Sequence, residues 1–161
     1  MKKLSFCLLS LLFMQVIAFG QQPRLLTLDQ LNARLKKGKD TVFVINFWAT
    51  WCGPCGKELP DFERLNKEYG DGRIKVLLVS VDFISKFRTS VIPFVKKNKL
   101  KSEVFLLNEK DQQEYINRID SSWSGSLPAT LFIRGENRKF KEGEFTYSSL
   151  VKEYQTLKTR S

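Results

Sequence analysis

The sequence predicts an α/β fold, a three-layer sandwich with a central mixed β-sheet flanked by helices. Three observations predict it. Strand-like apolar runs alternate with segments of helical spacing. A Cys-x-x-Cys pair, Cys52 and Cys55, stands where one such run meets a helix. A hairpin signal followed by a last helix closes the chain, so part of the sheet must run antiparallel to the rest.

The elements follow in order. Leu28, Leu31 and Leu35 recur at helical spacing, with Thr27 as N-cap and Gly38 as stop. Val42 to Phe47 is short, apolar and β-branched, as expected of a central strand covered on both faces. After Cys52, Leu59, Phe62, Leu65 and Tyr69 form the apolar stripe of a helix that ends at Gly70. Ile74 to Val81 is a second buried strand. Ser85 to Asn98 reads as a helix broken at Pro93, Val104 to Leu107 as a short strand, and Gln112 to Ile119 as a short helix. Thr130 to Ile133 and Lys139 to Phe145 flank the turn Gly135-Glu-Asn137, and Ser148 to Leu157 is the final helix.

Residues 1–20 are expected to be a targeting segment and residues 21–161 a single domain. Lys2 and Lys3 precede the apolar stretch Leu4 to Phe19, and Ala18-Phe-Gly20 places small residues at −3 and −1 of a cleavage site before Gln21. The alternative is a retained membrane anchor. That stretch of about 16 residues is short for roughly 30 Å of hydrocarbon and is interrupted by Ser5, Ser10 and Gln15. Phe6 before Cys7 argues against a lipid-modified cysteine. Export would place the chain in the periplasm or another extracytoplasmic space, where disulfides persist.

The chain carries 27 Lys and Arg against 17 Asp and Glu. Without Lys2 and Lys3 the basic count is 25, a net charge near +8. Basic runs occur at Lys36-Lys-Gly-Lys39, Lys96-Lys-Asn-Lys-Leu-Lys101 and Arg138-Lys-Phe-Lys141. They fall on separate elements without an aromatic ladder, which argues against nucleic-acid binding and for solvated helix ends and turns. Attraction to an anionic membrane or an acidic partner is a modest addition.

Trp51-Cys-Gly-Pro-Cys55 carries the chemistry. A thiol at a helix N-terminus meets unpaired N–H groups and the positive end of the dipole, which stabilise a thiolate. Cys52 is therefore the expected nucleophile and Cys55 the resolving thiol of a redox-active disulfide. A structural zinc site wants four ligands; this chain has no histidine, and its third cysteine, Cys7, lies in the leader. No metal and no cofactor are expected. A purely structural disulfide over so short a loop would stabilise little. Proline, lacking an N–H and fixed in φ, suits a first helical turn at Pro54, and with Gly53 sets the geometry between the sulfurs. Trp51 is expected beside the nucleophile, against substrate, while Trp48 fits the core better. Glu58, one turn beyond Cys55, is placed to face the same sulfur; Glu63 and Glu68 are expected to be solvated.

The stretch Phe47-Trp-Ala-Thr-Trp-Cys-Gly-Pro-Cys55 resembles the active site of thioredoxin-fold proteins. Its continuation Gly56-Lys-Glu-Leu-Pro60 resembles the extracytoplasmic TlpA/ResA-like branch. The resemblance is tight over Val42 to Asp82, recurs over Trp123 to Ile133, and is loose elsewhere. It implies a thioredoxin-like fold, a kink proline at Pro60 and, from the Gly-Pro dipeptide, a reducing poise. Asn46 departs from the buried aspartate that thioredoxin carries, and an amide cannot accept the proton of the second cysteine. The resemblance assigns a tuning role to Glu58. It also implies a cis-proline at Pro128 in Gly125-Ser-Leu-Pro-Ala-Thr130, with Leu127 and Pro128 contacting an extended substrate. Trp123 packs over that loop or into the core.

The expected function is an exported protein disulfide reductase, a monomer acting on disulfide-containing proteins. The resemblance adds a membrane thiol carrier as electron donor and cytochrome c maturation as setting. The alternatives are a disulfide oxidase or isomerase, which would favour a more acidifying dipeptide, and a thioredoxin-fold binding module without turnover.

Overall fold

The structure, a computed structural model, describes residues 22–70 and 72–159. The leader, its cleavage site and Cys7 lie outside the described residues.

Val42–Trp48 (β2) and Ile74–Ser80 (β3) are the apolar runs that the sequence marks as strands. They pair in parallel, Val42 opposite Ile74 through Trp48 opposite Ser80. Glu103–Leu107 (β4) adds to β3, and Arg24–Leu26 (β1) adds to β4, both in parallel. Ala129–Arg134 (β5) runs antiparallel to β2 and turns through Gly135 and Glu136 into Asn137–Glu142 (β6). The six strands therefore lie in the order β1-β4-β3-β2-β5-β6, a mixed sheet with β2 inside it.

Side chains alternate across β2, and each face meets its own core. Val42, Val44 and Trp48 face Gly53–Tyr69 (α2), Ile92–Lys97 (α3) and Tyr147–Thr159 (α5). Phe43, Ile45 and Phe47 face Leu28–Lys37 (α1) and Gln112–Ile119 (α4). Two helical layers around one sheet give the three-layer sandwich. Phe62 and Leu65 of α2 are fully buried, and each such side chain contributes about 1.5–3 kcal/mol by leaving water.

Three local differences from the sequence reading have physical causes. β1 was not expected: of its three residues only Leu26 is buried, and the strand exists because β4 is there to pair with it. The segment before Pro93 is a 3₁₀ turn, Ile84–Lys86, then a π turn, Phe87–Val91, with Ile92 N–H donating to Phe87 C=O. Pro93 has no N–H to donate and its ring crowds the carbonyl four residues back, so the widened turn delivers the chain into α3. β6 ends at Glu142, because Gly143 turns the chain at φ 95° and sends Phe145 into the α2 core.

Candidate active site

Cys52 is the N-cap of α2, with Gly53 and Pro54 in its first turn. The extended backbone of Cys52 (ψ 100°) aims its sulfur back over the helix start, where it accepts the Cys55 N–H at 3.3 Å. Cys52 and Cys55 form a disulfide with S–S 2.03 Å. Cys52 is 8% exposed and Cys55 is closed off at 0%. Attack from outside can reach only the first sulfur, which also lies at the electropositive end of α2.

The turn that presents the pair is held from β3. Asp82, buried just past the end of β3, accepts from Thr50 N–H (2.9 Å), Thr50 Oγ1 (2.6 Å) and Ser80 Oγ (2.7 Å). Cys52 N–H donates to Ala49 C=O at 3.1 Å. Sequence reasoning missed Asp82, since one acid at a strand end belongs to no motif; its place at the carboxyl end of a parallel strand was the available signal.

Under α2 lies a polar network inside an apolar core. Asn46, fully buried on β2, donates through Nδ2 to Glu58 Oε1 at 2.7 Å and to Thr130 Oγ1 at 3.2 Å. Glu58 Oε2 accepts the Phe145 N–H at 2.7 Å. Glu58 is 2% exposed, so it is not a solvated helix glutamate. Burial pushes its carboxyl from 4.5 up to about 7, against the two hydrogen bonds that favour the charged form; the charges of Glu144 and Asp61 add to the rise. Asn46 Oδ1 has no partner among the described residues.

The expected solvation of Glu63 is corrected here, whereas Glu68 is exposed as expected. Glu63 accepts from the backbone N–H groups of Lys101 and Ser102, both at 2.9 Å, and so closes the turn into β4. Glu68 is exposed but held by Arg64 and by the Tyr147 hydroxyl. The Arg64 pair lies within α2 at i,i+4 spacing, but the contacts with Lys101, Ser102 and Tyr147 are ones that a sequence window of one helix does not reveal.

The Leu127–Pro128 peptide bond is cis. Leu127 is half-buried at the seam of the two cores, and Pro128 C=O accepts from Gly143 N–H at 2.8 Å. Trp123 does both jobs foreseen for it: its ring packs on Phe47, 5.1 Å between centroids, and its Nε1 donates to Ser126 C=O at 2.9 Å, pinning the proline loop. Trp48 is buried against Phe94. Trp51 is 70% exposed and, with Leu127, Trp123, Phe83 and Ile84, lines a cleft of about 330 Å³. Phe83 and Ile84 are exposed apolar residues that the sequence reading did not single out. A larger groove of about 820 Å³ runs along α2 beside Leu100, and no residue of the proline loop lines it. Among the described residues no three His, Cys, Asp or Glu side chains gather as a metal site.

Comparison with known proteins agrees with this geometry. The model of the AhpC/TSA family matches residues 18–138. The chain is 44% identical over 69 residues to thioredoxin-like protein YneN of Bacillus subtilis, covering 41% of this chain and 39% of that protein. It is 28% identical over 133 residues to thiol-disulfide oxidoreductase ResA of Oceanobacillus iheyensis, covering 76% of this chain and 60% of ResA. The chain thus spans less than two thirds of the length of either relative. Among solved structures, StoA of Bacillus subtilis superposes with a TM-score of 0.57 at 27% identity, over 73% of this chain and 84% of that one. The matched residues run from before β1 into β6 and include the disulfide, Asn46, Glu58 and Thr130, and the cis-proline loop, and so the chain belongs to the AhpC/TSA family, with a thioredoxin-like fold.

Proposed function

We propose that this chain is an exported protein disulfide reductase. The observation that carries the reading is the Cys52–Cys55 disulfide at the N-terminus of α2, with one sulfur within reach of solvent and the other closed behind it. In the reduced form the Cys52 thiolate attacks a disulfide of a partner protein. The Cys52–partner disulfide forms, and the partner's other sulfur leaves as a thiolate and takes up a proton. Cys55, losing its proton, then attacks the Cys52 sulfur. The partner departs with two thiols, and the Cys52–Cys55 disulfide is restored; two electrons have moved to the partner.

In this reading Trp51, Leu127 and Pro128 hold the partner during the mixed-disulfide stage. Gly53 and Pro54 set the separation of the sulfurs. Glu58, titrating near 7, assists proton movement at Cys55. An external dithiol must reduce the pair again, and the resemblance points to a membrane thiol carrier. The same resemblance suggests apocytochrome c as one partner. The first 20 residues act as the export signal, retained as an anchor in the alternative arrangement, and the mature chain works as a monomer. No helix among the described residues is long and apolar enough to cross a membrane.

Insulin reduction under dithiothreitol tests the reading. Turnover is expected from the wild-type chain and should vanish in Cys52→Ser. Cys55→Ser should instead accumulate mixed disulfides with partner proteins. Turnover that survives Cys52→Ser would sink the reductase reading, and no turnover in any form would leave a binding module. Iodoacetamide should label Cys52 before Cys55 near neutral pH. Export is checked separately: mature protein should begin at or near Gln21.

A further inference from the structure

The basic runs are far apart in sequence, but the topology brings them to one side of the molecule. β1, β2, β3 and β4 are parallel, so the residues that lead into them share one edge of the sheet. Lys36, Lys37 and Lys39 precede β2. Arg73 precedes β3, and Lys75 is its second residue. Lys96, Lys97, Lys99 and Lys101 precede β4. The β5–β6 turn reaches the same edge, since Ile133 lies opposite Phe43, and Gly135 and Arg138 line a cleft with Lys36 and Lys39.

Lysines in the last turns of α1, α2 and α3 have a local reason to be there: they offset the negative helix ends. Lys39, Arg73, Lys75, Lys99 and Lys101 lie outside the helices, are exposed, and form no ion pair among the described residues. Acids at this edge are mostly occupied: Glu103 by Arg34 and Arg24, Glu63 by the turn at Lys101. Among the described residues Asp40 and Glu136 remain. The connections at the other edge, around the disulfide, carry Asp82, Glu109, Asp111, Glu142 and Glu144, with Lys57, Lys86, Arg88 and Lys110 among them. Basic residues thus outnumber acids at the strand-leading edge, while the disulfide edge carries both signs.

The chain also enters the domain at the basic edge. Gln22 and Pro23 line a cleft with Lys96, Lys99 and Lys101, and the apolar stretch Leu4 to Phe19 ends three residues before Gln22.

We propose that the basic edge, centred on Lys97, Lys99 and Lys101 with Lys39 and Lys75, docks on an anionic membrane surface and turns the Cys52 end away from it. Anionic headgroups attract a cationic face within about a Debye length, and the mixed-sign edge at the disulfide lies beyond that reach. The seven residues of β2 set the disulfide about 20 Å from the lipid.

The test is lysine labelling of the full-length chain reconstituted with vesicles. One set is phosphatidylcholine alone and the other contains phosphatidylglycerol; a water-soluble acylating reagent is read out by peptide mass spectrometry. A retained anchor acts equally in both sets, so only a headgroup-dependent contact distinguishes them. Labelling of Lys75, Lys97, Lys99 and Lys101 should fall about tenfold with phosphatidylglycerol and recover at high salt. Lys57 and Lys110 should label alike in both sets. Lys97→Glu/Lys99→Glu/Lys101→Glu should abolish the protection of Lys39 and Lys75 while leaving circular dichroism and Cys52 alkylation unchanged. Equal labelling in both sets, or protection of both edges alike, overturns the proposal. Stronger protection by polyglutamate or an oligonucleotide of equal charge also overturns it and assigns the face to an acidic macromolecule.

Discussion

Glu58 couples stability to pH, and the sign follows from its surroundings. Unfolded, it titrates near 4.5; folded, near 7. Between those values the folded chain holds a proton that the unfolded chain has released, so folding is favoured at the acid end and weakens as pH rises. The contribution is fully present below about pH 4.5 and gone just above 7, a span of about 3 kcal/mol for a side chain 2% exposed. Glu58→Gln should flatten that slope in urea unfolding between pH 5 and 8 and be the more stable protein at pH 8. Asn46 can accommodate either form. Its unpartnered Oδ1 becomes an acceptor for a protonated Glu58, or for a glutamine there, once the amide turns over. Asn46→Asp puts a second carboxylate 12 residues away in sequence but in contact with Glu58, and should move the Glu58 titration above 7, as read by carboxyl NMR. Asp82→Ala strands the Thr50 N–H and two hydroxyls in a buried place; a loss of roughly 2–4 kcal/mol is expected in the same unfolding assay. The cysteines, Trp51 and Pro128 were legible because adjacent residues spell them out. The Glu58 partner Phe145 was not, because its N–H arrives from 87 residues along the chain and only the turn at Gly143 delivers it.

At the scale of elements, legibility tracks local signals. α1 was readable at both ends because Thr27 and Gln30 exchange hydrogen bonds in a capping box and Gly38 N–H caps Leu35 C=O. Thr27→Ala removes that exchange and should cost about 1 kcal/mol in chemical denaturation, with the disulfide reactivity untouched. α4 was readable for the same reason, with Asp111 capping Glu114 N–H at 2.9 Å. α2 differs: its cap is the reactive sulfur itself, so its first turn is tied to redox state. β1 has no local signal, and the π turn before Pro93 has only the proline, which marks a disturbance without saying which kind of turn absorbs it.

For the whole molecule, composition and alternation were enough to give the layers, and pairing order was not. The mixed sheet needed only the hairpin signal; the place of β4 between β1 and β3 is settled by which faces can be covered at once. The same order gathers charges that look scattered along the chain. It also leaves β6 at the rim of the sheet, six residues whose outward N–H and C=O groups have no neighbouring strand among the described residues. Such a rim is a template on which a second chain can add. Arg138, Lys139 and Lys141 keep it charged, the first two paired with Asp120 and Glu153, and in a chain of net positive charge an approaching copy brings like charge against like. Replacing Arg138 and Lys139 by isoleucine should leave the monomer folded yet raise light scattering on storage at neutral pH, most of all at low salt, where the wild-type repulsion reaches furthest. A short run of basic residues, three of six positions, is in this sense the protein's guard against its own kind.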